Sequence, residues 1–167
     1  MSRKPEALWC LRIGERLFAR VLGTYPYEVE VNLRSGWNRC TCPLGGDCKH
    51  VRAALEAYRE GNFVEGEEWM AFEPSSAVGV IASENPSRAM EILLRELELS
   101  LKTDESGSRS AGIFWRAIGL LKMSNLIEFE EEKLRALFVE FRDTFEGYPA
   151  VERIGRELAS LGLVPRE

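Results

Sequence analysis

Histidine is nearly absent from this chain, with one in 167 residues. A Ser-His or Cys-His nucleophile pair would have to be built on that single imidazole, His50. The phosphate-loop pattern G-x-x-x-x-G-K-[ST] is missing, which removes the usual ATPase signature. No apolar run approaches the roughly 18 residues that span a bilayer, and the N-terminal Met-Ser-Arg-Lys-Pro lacks the apolar core of a signal peptide. These absences predict a soluble intracellular protein, cytoplasmic or nucleoid-associated, or nuclear in a eukaryote. Cysteine is scarce at four residues, and without a secretory signal a disulfide framework is not expected. Neither an internal repeat nor a low-complexity tract interrupts the chain.

Three of those cysteines stand beside the histidine. Residues Cys40 to His50 read C-T-C-P-L-G-G-D-C-K-H, a Cys-x-Cys-x5-Cys-x-His spacing. Zinc takes thiolate and imidazole ligands in tetrahedral sets such as Cys3His, and a structural site closes all four positions with protein atoms. Cys40, Cys42, Cys48 and His50 supply that set. A catalytic zinc would keep a position open for water, so this ligand count argues for structure rather than chemistry. Cys10 is left over and reads as a small buried thiol. Three thiolates around Zn2+ carry a formal charge of minus one. A helix N-terminus and Arg39, Lys49 and Arg52 could offset it, or those cations could serve a phosphate ligand instead.

The flanks set an expected geometry. Tyr27 to Leu33 alternates apolar and polar residues as a half-buried strand does, Ser35-Gly36 supplies a turn, and Trp37 to Cys42 returns as a second strand. On a strand, Cys40 and Cys42 would point the same way. Pro43 would end the ladder and Gly45-Gly46 would double the chain back. Asp47 is expected to cap a helix with Val51, Ala54, Leu55 and Tyr58 on its apolar stripe. Upstream, Ile13, Leu17, Phe18, Val21 and Leu22 fall at helical spacing, so a lead-in helix is predicted over Leu8 to Leu22, stopped by Gly23.

Together these residues resemble the SWIM zinc finger: a hairpin, Cys-x-Cys, a variable spacer, Cys-x-His and an apolar helix. The likeness covers about Tyr27 to Tyr58. SWIM domains are associated with recombination factors, helicase-like ATPases, transposases and ubiquitin-pathway proteins. The chain looks most like the stand-alone members, which include mediators that work with RecA-like recombinase paralogues. What the resemblance implies is a zinc-binding adaptor in DNA recombination or repair.

Charge separates two regions. Through Glu60 there are ten Lys or Arg against seven Asp or Glu, and from Gly61 onward twelve against twenty. The acidic part is a poor phosphate surface, so any DNA or RNA contact is expected on the first part. Its candidates are Arg3, Lys4, Arg34, Arg39, Lys49 and Arg52, with Trp37 either stacking on a base or packing in the hairpin. Direct nucleic-acid binding is thus the alternative to a protein adaptor.

The expected fold class is α+β: a zinc-binding domain over 1–60, a connector over 61–84 and a helical domain over 85–167. Asn85-Pro86 reads as an N-cap and first-turn proline, opening a helix with Met90, Leu93, Leu94, Leu97 and Leu101 inward. Thr103 to Ser110 reads as a polar loop, Ile113 to Met123 as a buried helix and Glu130 to Phe145 as an amphipathic one. A last helix runs from Pro149 to Leu161. Glu130, Glu131 and Glu132 read as a solvated helix start rather than a divalent-metal site. With no catalytic constellation in view, a non-enzyme is expected.

Overall fold

The structure, a computed structural model, describes residues 4–124 and 127–164. Its α+β chain divides into two compact units between Glu84 and Asn85.

The first unit is built on a five-stranded sheet. β1 (Glu6–Ile13), β2 (Arg16–Leu22), β3 (Pro26–Asn32) and β4 (Asn38–Cys40) form an antiparallel meander, and β5 (Val64–Glu65) joins parallel to β1. The order across the sheet is β4-β3-β2-β1-β5. The lead-in helix predicted over Leu8 to Leu22 is therefore corrected to a hairpin. Gly14, at φ 59, takes the positive-φ position of its two-residue turn, which costs glycine little. Helical spacing misled because Leu17 and Phe18 are both buried although they point to opposite faces. A sheet covered on both sides hides the alternation that marks a half-buried strand.

One face packs under α1 (Lys49–Arg59), through Cys10, Leu17, Ala19, Val21, Val29, Val31, Val51 and Ala54. The opposite face buries Trp9, Leu11, Ile13 and Phe18. Residues 61–84, expected as a connector, are part of this unit: β5 extends the sheet, two short 3-10 turns follow, and α2 (Ala77–Glu84) packs on β1 and β5. Scattered apolar positions such as Val64, Met70, Val78 and Ile81 carry no clean period because they are divided among three short elements.

The second unit consists of α3 (Pro86–Thr103), α4 (Ser108–Met123), α5 (Glu131–Thr144) and α6 (Pro149–Ser160). Asn85 caps α3 by accepting from the Arg88 amide at 3.1 Å, and Pro86 follows at the first turn. Met90, Leu93, Leu97, Phe114, Leu134, Phe141, Ile154 and Leu158 are fully buried. Phe114 meets Phe138 edge-on at 6.0 Å and Phe141 at 5.0 Å. α4 starts earlier than expected, because Asp104 accepts from the Gly107 amide at 3.1 Å and the Ser110 amide at 2.9 Å and so turns polar residues into its first turn.

Candidate metal centre

β3 and β4 are joined by a turn that Asn32 organises. Its side-chain oxygen accepts from the Arg34 and Ser35 amides at 3.0 and 2.9 Å, and Gly36 sits at φ 83. β4 lasts only three residues and ends on Cys40. Cys42 thus lies beyond the strand, and the strand repeat does not aim it. A knuckle does: the Cys40 amide donates to the Gly45 carbonyl at 2.9 Å and the Gly45 amide to the Cys42 carbonyl at 3.0 Å. Asp47 is a second correction. Cys48 is the N-cap residue of α1, with no side-chain cap bond. Asp47 instead exchanges two bonds with Asn38, receiving from its side-chain amide at 2.9 Å and donating its own N–H at 2.7 Å, which ties the knuckle to β4. Cys48 and His50 then enter from the start of α1.

These elements converge four donor atoms within 4.8 Å of one another, all on buried residues. His50 Nδ1 lies 3.7 Å from Cys40 Sγ and 3.6 Å from Cys48 Sγ. A tetrahedral zinc with bonds of about 2.3 Å to sulfur and 2.0–2.1 Å to nitrogen requires sulfur-to-nitrogen separations of about 3.5 Å. The cage fits the ion. Ligation through Nδ1 leaves the ring proton on Nε2, which is buried and makes no protein hydrogen bond among the described residues.

Burial and hydrogen bonding set the donors' acidities. Burial pushes the Cys40 thiol up to about 12, although the Cys42 amide donates to it at 3.5 Å. For Cys42, burial works upward as well, but the Leu44 and Gly45 amides and the neighbouring thiols hold it below the usual thiol value. Burial and then the Lys49 charge lower His50, keeping it neutral and able to ligate. A divalent cation offsets the cost of several buried thiolates. Cys10 stands apart. Its thiol faces the Ala54 carbonyl at 3.8 Å, and burial pushes it up to about 12.

The other predicted residues are spread over several elements. Register places Arg39 opposite Glu30, on the sheet face turned away from Cys40, and it pairs with Glu30 at 3.0 Å. Glu30 also holds Arg16 at 3.5 Å. Arg34 pairs with Glu15 at 3.6 Å. Lys49 and Arg52 are exposed on α1, and Lys4 is exposed ahead of β1. Arg3 lies outside the described residues. Trp37, read as either packing in the hairpin or stacking on a base, is 55% exposed. Leu44, at the tip of the knuckle, is 77% exposed, and a single Leu in a turn has no period to mark it in the sequence.

No helix is long and apolar enough to cross a membrane, among the described residues. No solved structure matches the chain. An uncharacterized protein of Methanocaldococcus jannaschii is 26% identical over 154 residues, covering 89% of this chain and 62% of the relative's length. Residues 29–59 match the SWIM zinc finger family, a span that contains all four donors, β4 and α1. The chain carries a SWIM zinc finger over those residues, and its Cys40, Cys42, Cys48 and His50 cage binds zinc.

Proposed function

We propose that the chain is a non-enzymatic adaptor whose zinc finger presents an apolar contact surface to a protein partner. The carrying observation is the exposure of Trp37 and Leu44 on either side of β4, beside a site whose four ligands are buried. Large apolar side chains held out by a rigid scaffold favour protein contact, and Trp is prominent among residues that dominate binding energy. The buried ligand shell favours a structural ion over a catalytic one. The partner we propose is a RecA-like recombinase paralogue, in DNA recombination or repair, as the finger's resemblance suggests.

The test is co-purification of the zinc-loaded chain with recombinase paralogues from its source, followed by titration. Trp37→Ser with Leu44→Ser should weaken the complex at least ~10-fold, as loss of hot-spot residues does, while zinc content stays at one per chain. An unchanged affinity would reject this surface.

A second reading, direct DNA or RNA binding, has its own support in Lys49 and Arg52, which are exposed three residues apart on α1 and so share a face. It predicts a shallow salt dependence. Two phosphate contacts give a slope of log affinity against log salt of about −1.8 for duplex. Tight binding by residues 85–167 alone would contradict it.

A further inference from the structure

The fourth ligand is backed by the turn between β2 and β3. Gly23 is buried there, and a Cβ at this position would lie 2.6 Å from His50 Nε2, 3.2 Å from His50 Cδ2 and 3.1 Å from Tyr27 Cε2. Carbon does not approach other heavy atoms that closely without something moving. A free side-chain end would swing aside, but this ring has little freedom, because Nδ1 faces two sulfurs at 3.6 and 3.7 Å on its other edge. Beside Gly23 the Tyr27 ring also meets the imidazole, 4.3 Å away at an interplanar angle of 43°. Gly23 is not among the glycines with positive φ. Its backbone would therefore accept alanine, and the requirement for glycine comes from the contact alone.

We infer that Gly23 is a positioning residue for the zinc site, and that with Tyr27 it forms the wall that holds the His50 imidazole with Nδ1 aimed at the cysteine sulfurs. Ligating histidines are ordinarily oriented through a hydrogen bond from the second ring nitrogen. Here steric backing orients the ring. Both wall residues precede the span 29–59, so the metal centre of this chain extends into the β2–β3 turn.

The experiment uses the full zinc-loaded chain, with two readouts: the rate of zinc transfer to a chromogenic chelator and the visible spectrum of the cobalt(II)-substituted protein. Gly23→Ala should speed zinc release ~10-fold or more, the usual scale for losing a group that orients a ligand, and should shift the cobalt bands. Gly79→Ala, in α2 with open space around it, should change neither. The deciding comparison is made in a His50→Cys background. A cysteine sulfur lies one bond nearer the backbone than Nδ1, but its longer bond to zinc sets the ion at about the same distance, and it carries no ring toward Gly23. In that background Gly23→Ala should alter release by less than about twofold, because the interaction it disrupts is gone. The same acceleration in both backgrounds, or no change of rate and spectrum in the parent, overturns the inference. If Gly23→Ala alone fails to fold, folding and metal loading of the double variant support it, and failure of the double variant overturns it.

Discussion

Four cysteines share one chemistry in this chain and have two fates. Cys40, Cys42 and Cys48 face a common point with His50, whereas Cys10 sits under α1 with its thiol toward a backbone carbonyl. Cys42→Ser should remove stoichiometric zinc and Cys10→Ser should keep it, measured by metal analysis of the reduced protein. Equal loss in both would overturn the ligand set. The residue scale also explains why the cations are poor predictors of a phosphate site. Glu30 engages two arginines and Glu15 a third, so part of the positive charge in the first unit is spent locally.

Among the elements, α4 shows where local chemistry and packing part company. Gly112 and Gly119 lie on its exposed side, and a Cβ at either would meet nothing within 4 Å. Gly112→Ala and Gly119→Ala should each stabilise the second unit by about 0.5–1 kcal/mol, since glycine weakens a helix interior by that amount; thermal unfolding would report it. The start of α4 depends instead on Asp104. Burial works to raise its carboxyl, but the Ser110 amide and hydroxyl, the Gly107 amide and the Arg109 charge hold it below the ordinary aspartate value. A depressed folded value stabilises above the unfolded one, and that contribution fades as pH falls through the folded value. Asp104→Asn, which offers one oxygen where two amides need two, should cost about 0.5–2 kcal/mol at pH 7. The deficit should shrink as pH falls through that depressed folded value, where the parent carboxylate is protonated in its turn. A deficit that does not change between pH 7 and pH 2 would show that the charge is immaterial.

At the scale of the whole molecule, the two units rest on different sources of stability. The first places its three ligating cysteines within one continuous buried cluster, with Val29, Val31, Val51 and Ala54. The second is stabilised by aromatic and aliphatic burial around Phe114, Phe141 and Ile154. Structural zinc contributes roughly 10–16 kcal/mol of apparent binding free energy in small fingers. Chelation should therefore abolish amide protection in β3, β4 and α1 while α3 to α6 stay protected, as native-state hydrogen exchange would resolve. Simultaneous loss of protection in both units would show one cooperative body.

The metal centre was legible in the order of residues alone, because tetrahedral zinc imposes ligand type and spacing so tightly that Cys40, Cys42, Cys48 and His50 leave little choice. The helices of the second unit were legible too, since Asn85-Pro86 and the stripe from Met90 to Leu101 are local signals that packing reinforces. Only the tertiary structure decided the rest. β1 and β2 carry no visible strand period because they are covered on both faces, a fact that resides in α1, α2 and the 3-10 turn before α2 rather than in Leu8 to Leu22. Asp47 was drawn from capping to tying a knuckle because Asn38 faces it across the fold. Gly23, an expected helix stop, proved to border the imidazole of a ligand 27 positions away. Contacts between residues far apart in the chain leave no period in either segment, so they could be read only after folding had brought them together.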